Sequence, residues 1–321
     1  VAERQGVSAV PQLMELLRQA EFNKSPANRG LRTALVMSLG NIGQAGPADA
    51  ARVVPTILRS LGEEDEKSVA VEALIRIGAP SVSSLLMILK AGDTKRAAAA
   101  MDALLAIGQK AAPEVVSLLQ ARHPKMKRMA SQFLGFYQDP AVFPLLRELY
   151  PRVAAEDKVS ILRIASLYDS QEPYDFISRA TQDEDPKVRA EAVEILSSTG
   201  QAEAVPVILT HAEEDSDQDI RIVAIKGLFS MGAASAVTTL GRMLEYEKWP
   251  VRIELLQALA FMATPANVKA VSDQLRHRRS EVANAAGRAL ANITYMTGER
   301  TPDEWVRDVQ RVIGAEEGAE I

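Results

Sequence analysis

The chain has 321 residues, no cysteine and a formal net charge of −5 at pH 7. Its length alone would suit two or three globular domains, because a typical domain holds about 100–200 residues. The lack of cysteine excludes a disulfide framework and a thiolate zinc site, and the mild negative charge disfavours nucleic acid or an anionic membrane as a partner. No apolar run reaches the roughly 18 residues that a membrane-spanning helix needs.

A row of apolar side chains, here called the leucine row, recurs every 30 to 35 residues along most of the chain. A period of this length, held over nine copies, is typical of a stacked repeat array, in which each repeat contacts only its neighbours. The sequence therefore predicts one all-α array over residues 1–298. The leucine row comprises Leu39, Leu74, Leu104, Leu134, Ala165, Leu196, Leu228, Leu259 and Leu290.

Each repeat is predicted to hold two helices, as the repeat around Leu228 illustrates. Its second helix places Ile220, Ala224 and Leu228 on one face, which is the apolar stripe of an amphipathic helix. Gly232 follows that leucine by four residues and Gly43 holds the same place in the first repeat, where a left-handed C-cap suits glycine. The predicted pairs are 7–18 and 28–42, 47–61 and 66–77, 80–90 and 94–107, 113–121 and 124–136, 140–150 and 156–168, 173–180 and 186–198, 202–212 and 218–230, 234–246 and 250–262, and 265–276 and 280–293.

The C-terminal segment, residues 299–321, departs from the repeat pattern. Its sequence Thr-Pro-Asp-Glu at 301–304 is a capping box that opens a short helix containing Trp305, Val309 and Ile313. We expect this helix to cover the open core of the last repeat, because terminal repeats of an array need a cap. An acidic, disordered end is expected to follow it.

Residues 185–196, with the sequence DPKVRAEAVEIL, resemble the second helix of a HEAT repeat. Within that group they are similar to the bacterial branch of phycobilisome-lyase-like repeats, and weaker echoes begin at Asp219, Pro250 and Pro124. The resemblance covers residues 7–293. It implies a right-handed α-solenoid of about nine helix pairs, with first helices on the convex side and second helices lining a concave surface. Such arrays serve unrelated roles, so the resemblance is specific for fold and nearly silent on function.

A basic side chain, seven residues before each member of the leucine row, faces inward in the first turn of the second helix, where a cation opposes the helix dipole. We expect these cations to form a structural ladder with carboxylates of the preceding turns. A basic groove for phosphate is the alternative. The basic row comprises Arg32, Lys67, Lys127, Lys158, Arg189, Arg221 and Arg252, with gaps at Ala97 and Ala283 where looser packing is expected. The expected partners are Glu63, Asp93, Asp183, Asp185 and Asp217.

A second row, five residues beyond the basic row, points away from the core and should form the floor of the concave surface. Phe136, Leu167 and Phe261 lie one turn further along, where exposed apolar residues would mark a binding surface. The alternative is that they contact a neighbouring helix. The predicted partner-binding residues are Gln132, Phe136, Arg163, Glu194, Lys226, Gln257 and Phe261.

Catalysis is poorly supported by the sequence. His123, His211 and His277 fall in separate repeats, none is followed by glutamate, and no set of convergent metal ligands or phosphate-binding loop is evident. Two basic clusters, 122–128 and 276–279, raise nucleic-acid binding as an alternative. The floor row nevertheless carries equal numbers of acidic and basic side chains, whereas a nucleic-acid groove should show an excess of lysine and arginine.

The sequence therefore predicts a non-enzymatic scaffold that binds a partner protein along its concave face, without cofactor or metal. The resemblance suggests an alternative, a chromophore-lyase-like or chaperone-like subunit of a hetero-complex; a nucleic-acid-binding repeat protein is the second alternative. A cytoplasmic location is slightly favoured. A periplasmic or secreted one is open if a leader preceded Val1. The partner and the oligomeric state are not indicated.

Overall fold

The structure is a computed structural model that describes residues 2–22, 26–262 and 267–297. Within these ranges the chain is helical, with short 3₁₀ segments and no strand, so the predicted all-α repeat fold is confirmed. The chain divides into two compact units, Val1–Tyr168 and Asp169–Ile321. The predicted C-terminal capping helix and acidic tail lie outside the described residues.

In the part of unit 1 that the structure describes there are five helix pairs, each formed by two helices that are adjacent in the chain. Within it the first helices α1, α3, α5, α7 and α9 pack in sequence, and the second helices α2, α4 and α6 form a parallel layer, as do α8 and α10. This two-layer stacking is the arrangement of an α-solenoid. The helices are α1 (Ala2–Phe22), α2 (Pro26–Gly43), α3 (Pro47–Ser60), α4 (Lys67–Ile77), α5 (Ala79–Lys90), α6 (Thr94–Ile107), α7 (Ala112–Val115), α8 (Pro124–Tyr137), α9 (Val142–Leu149) and α10 (Ala155–Ala165).

The described residues of unit 2 form four helix pairs. Its second helices α12, α14, α16 and α18 pack side by side in chain order, and each also contacts the first helix of its own pair. The helices are α11 (Gln171–Ala180), α12 (Pro186–Thr199), α13 (Val205–Glu214), α14 (Gln218–Ser230), α15 (Val237–Met243), α16 (Trp249–Phe261), α17 (Val268–Asp273) and α18 (Ser280–Thr297).

The leucine row forms the core of both units. Eight of its nine members are fully buried and Leu290 is 6% exposed. Burial of one leucine side chain contributes about 1.5–3 kcal/mol, and a single helix pair has too little partner surface to supply that burial alone. The row therefore explains why these amphipathic helices stack instead of separating.

Two glycines show different ways in which the helices end or approach. Gly232 adopts φ 61°, the left-handed conformation expected of a glycine C-cap. Gly43 does not: it belongs to α2, and a Cβ there would lie 2.7 Å from Val53 Cγ2 and 2.8 Å from Ile77 Cδ1. The left-handed cap predicted at Gly43 is therefore wrong, because this glycine is part of α2. Its lack of a side chain instead allows close packing against Val53 and Ile77.

Candidate interaction surface

All seven predicted partner-binding residues are exposed on second helices, but they belong to two units. In unit 1, α8 carries Gln132 and Phe136 and α10 carries Arg163. In unit 2 the residues are Glu194 on α12, Lys226 on α14, and Gln257 and Phe261 on α16. The structure thus brings together a group of three and a group of four.

The group in unit 2 lies on packed helices and is linked across α14 and α16. Lys226 Nζ is 3.6 Å from Glu254 Oε2, and the rings of Phe229 and Phe261 are 5.5 Å apart between centroids. Phe229 is 39% exposed and Phe261 is 57% exposed, so the two rings contact each other while both remain open to solvent. We call the surface formed by Glu194, Lys226, Phe229, Gln257 and Phe261 the unit 2 face.

Phe229 is the member of the unit 2 face that the sequence pattern missed. It precedes Ser230, the position that the helical wheel placed beside Phe261 in the adjacent repeat. The two aromatic residues are 32 positions apart, one more than the commonest repeat length. A strictly periodic alignment of the repeats therefore does not place them at equivalent positions. Comparing neighbouring positions between repeats, and not only equivalent ones, would have found the pair.

The group in unit 1 is less compact. Phe136 is 79% exposed, and its ring makes an edge contact with Tyr137, with centroids 5.0 Å apart. The Tyr137 hydroxyl donates to the Leu105 carbonyl at 2.5 Å, which fixes the end of α8 against α6. Leu167 remains 44% exposed although its Cδ1 lies close to Gly135. Leu167 is therefore both exposed to solvent and in contact with a neighbouring helix, so the two alternatives for this residue both apply.

The basic row contains a fully buried ion pair at its first member. Arg32 Nε lies 2.6 Å from Glu66 Oε1, and the two side chains are 4% and 2% exposed. Glu66 belongs to the turn before α4, so the contact joins the first repeat to the second. Among the described residues, Arg32 Nη1 and Glu66 Oε2 have no hydrogen-bond partner. The pair is desolvated without full hydrogen bonding, which makes it costly to break.

The same contact recurs between the fourth and fifth repeats. Lys127 Nζ lies 2.6 Å from both carboxylate oxygens of Asp157, and Asp157 immediately precedes Lys158 as Glu66 precedes Lys67. In both pairs the carboxylate comes from the following repeat, so the expectation that preceding turns supply it is wrong here. Lys158 itself lies over the Tyr150 ring at 5.1 Å.

In unit 2 the row contacts both the preceding turn and the following repeat. Arg189 donates through Nη1 to the Asp183 and Glu184 carbonyls, and through Nε and Nη2 to the Asp215 carboxylate at 3.1 and 3.0 Å. The preceding turn therefore contributes backbone carbonyl oxygens, and the next repeat contributes the hydrogen-bonded carboxylate; the charges of Asp217 and Asp183 also act on Arg189.

The next two arginines repeat this division of partners. Arg221 donates to the Asp215 carbonyl at 2.7 Å, and its Nε is 3.2 Å from Glu247 Oε1 of the following repeat. Arg252 donates to the Glu247 carbonyl at 2.7 Å and to Gln274 Oε1 at 3.1 Å. At this last contact a neutral amide replaces the carboxylate.

Asp215 is the centre of a small buried network. Besides Arg189, it accepts the Asp217 N–H at 2.9 Å, and its Oδ2 is 3.0 Å from His211 Nδ1. Burial acts to raise the pKa of Asp215, but the hydrogen bonds from Arg189, Asp217 and His211 outweigh it, so the pKa falls from 3.8 to about 2. The bond to Asp215 in turn raises the pKa of Arg189. The carboxylate therefore stays ionised at neutral pH and keeps two repeats connected.

The three histidines belong to different helix pairs, since His123 precedes α8, His211 lies on α13 and His277 precedes α18. His123 and His277 each accept a backbone N–H two residues further on, at 3.3 and 3.1 Å, and His123 is thereby the N-cap of α8. In the described ranges no group of three or more histidine or acidic side chains is placed to hold a metal ion. No helix described by the structure combines the length and apolar character needed to cross a bilayer.

A family model described as HEAT repeats matches residues 153–228 and 205–291. The phycobilisome-lyase-like branch is not supported by that match. No curated protein matches the sequence at a significant level.

Two solved structures of engineered proteins from the Northeast Structural Genomics Consortium are similar to the chain. One is 17% identical, with a TM-score of 0.40, and the match covers 91% of this chain and 94% of that chain. The other is 18% identical, with a TM-score of 0.38, and the match covers 57% of this chain and 98% of that chain.

Proposed function

We propose that the chain is a non-enzymatic scaffold that binds a partner protein through exposed side chains of its second helices. HEAT repeats typically mediate protein–protein interaction, and repeat arrays bind through extended surfaces. The predicted partner-binding residues are exposed in both units. A partner segment is proposed to contact the unit 2 face, and the group in unit 1 is proposed to contribute a further contact.

The observation that carries this proposal is the exposed Phe229–Phe261 pair. Two adjacent aromatic rings with water on one side are costly to leave uncovered, and aromatic side chains contribute strongly to protein interfaces. Lys226 and Glu254 form an ion pair beside them, and Glu194 lies on the adjacent helix. This combination suits an amphipathic partner segment that covers the rings and meets charges of both signs.

The experiment compares two variants with the wild type in quantitative capture of partners. Phe229→Ala/Phe261→Ala removes the rings, and Glu194→Lys/Lys226→Glu exchanges the charges. Truncation of a hot-spot residue at an interface costs at least about 2 kcal/mol, a loss of roughly thirtyfold in affinity. We expect the aromatic variant to lose this much and the charge variant to change both affinity and its salt dependence.

A matched control removes exposed side chains elsewhere. Met87, 63% exposed on α5, and Tyr246, 55% exposed in the turn after α15, lie off the second-helix rows. Met87→Ala/Tyr246→Ala should leave capture unchanged. If both test variants retain the wild-type circular dichroism spectrum and capture the same proteins with the same affinity, the unit 2 face is not the binding surface. Adding Arg163→Glu to the charge variant tests the contribution of unit 1.

A further inference from the structure

A cavity of about 890 Å³ lies within unit 1, beside the starts of α6 and α8. Its walls come from the end of α5, the first turns of α6, the 3₁₀ segment Val116–Gln120 and the turn that leads into α8. Ligand pockets commonly measure about 300–1,000 Å³, so the space is large enough for a small organic molecule. The cavity is separate from the surfaces proposed to bind a protein partner.

The cavity coincides with the gap in the basic row. Ala97 stands where the row would place a cation, and Met126 stands immediately before Lys127, where Glu66 and Asp157 supply the carboxylate in the two equivalent pairs. Both members of the ion pair are therefore replaced by apolar residues at one junction. The helices α6 and α8 also contact each other less extensively than α4 and α6 do. The cavity therefore lies at a junction where both positions of the pair are apolar.

The lining of the cavity combines apolar and cationic side chains. The apolar part of the lining consists of Leu89, Ala97, Met126 and Met129. Methionine side chains adapt readily to the shape of a ligand. Lys90, Arg122 and Lys125 supply three positive charges at the rim together with His123. No aspartate or glutamate contributes to this lining. Asp93, just outside it, is already paired with Arg96, with Oδ2 2.6 Å from Nε.

We propose that this cavity binds a small amphipathic organic anion, with its apolar body against the alanine and methionine side chains and its anionic head group at Arg122 and Lys125. Arg122 and Lys125 are exposed, and Lys90 donates to Ser117 at 3.0 Å, so the first two cations are the ones placed to meet a head group. The charge pattern favours an anion over a neutral molecule, because three cations and no carboxylate line the cavity.

The proposal is tested with decanoate as the probe and 1-decanol as its neutral counterpart, by isothermal titration calorimetry on the full chain. Decanoate should bind with one molecule per chain, and decanol about tenfold more weakly, because two exposed cations contribute roughly 1.4 kcal/mol together. Arg122→Gln/Lys125→Gln should weaken decanoate by the same factor and leave decanol unchanged. Replacing Arg276 and Arg278 by glutamine, in the other basic cluster, is the matched control and should change neither.

A second variant closes the cavity. Ala97→Arg/Met126→Glu restores the ion pair seen between the equivalent residues of other repeats, and it should abolish binding of both probes while the helical circular dichroism spectrum is kept. The proposal is overturned if decanoate and decanol bind the wild type equally, if neither binds, or if the closed variant binds as the wild type does. Should the closed variant fail to fold, the Arg122/Lys125 variant decides, since unchanged decanoate affinity there overturns the assignment of the head group.

Discussion

Glu66→Leu provides the sharpest test of what the basic row contributes to stability. This change removes the carboxylate from Arg32 and leaves a guanidinium buried at 4% side-chain exposure, with α2 and α4 packed around it. Removing one partner of a buried ion pair typically costs about 3–5 kcal/mol, because the remaining charge stays desolvated. Arg32 Nη1 already lacks a partner among the described residues, so little hydrogen bonding remains to stabilise it.

Arg32→Met/Glu66→Leu should recover most of that loss. Replacing both members of a buried pair with apolar residues of similar volume is often neutral, or stabilising by about 1–4 kcal/mol. The exposed pair between Arg76 and Glu72 on α4 supplies the control, with 2.8 Å between Nη2 and Oε1 and both side chains more than 40% exposed. Glu72→Gln should change the free energy of unfolding by less than about 0.5 kcal/mol.

The assay is urea denaturation followed by circular dichroism, with hydrogen exchange of the α2 and α4 amides as a local measure, because a repeat array need not unfold in one step. Glu66→Leu should accelerate exchange in both helices. A cost below about 1 kcal/mol, or a double variant as unstable as the single one, would refute the view that this desolvated pair holds the two repeats together.

Two further predictions concern unit 2. The pKa of Asp215 is about 2 in the folded protein and 3.8 ordinarily, so its contribution to stability is present above about pH 4 and is lost as the pH falls to about 2. After allowance for screening, this contribution is about 1–2 kcal/mol. Asp215→Asn should therefore reduce the loss of unfolding free energy at acidic pH, and an equally steep loss in the variant would contradict the prediction. At Gly227 an added Cβ would lie 2.0 Å from Ser197 Oγ. Gly227→Ala should therefore destabilise by about 1–3 kcal/mol in urea, and Ser197→Gly in the same chain should rescue it; failure of the rescue would show that the clash lies elsewhere.

The fold could be predicted from the sequence because one physical requirement repeats. Each second helix must bury its apolar stripe against the next, so the leucine row recurs at the repeat length, and the structure buries all nine positions. The type and the bounds of individual helices were harder to predict from the sequence. The predicted helix 113–121 is instead α7 followed by the 3₁₀ segment Val116–Gln120. A 3₁₀ helix has hydrogen bonds between residues three apart and an α-helix between residues four apart, and the spacing of apolar residues does not distinguish the two.

The sequence predicts that the basic row has partners, but it does not identify which residues they are. The need for a partner follows from an inward-facing cation in a first turn, and Arg32, Lys127 and Arg189 all have carboxylates nearby. Which carboxylate is nearest depends on how one repeat is displaced on the next, and a helical wheel contains no such information. For the same reason the pairing of Phe229 with Phe261 required the stacked helices.

The contacts of the basic row have a direction along the chain. Arg32 and Lys127 each reach a carboxylate 34 or 30 residues later. The repeat around Leu228 has both roles, because its Asp215 accepts from Arg189 of the preceding repeat and its Arg221 pairs with Glu247 of the following one. Tandem duplication of such a repeat would therefore preserve both contacts without any compensating substitution. Head-to-tail complementarity of this kind lets an array lengthen during evolution, whereas a junction that has lost both charges, as at Ala97 and Met126, is free to diverge.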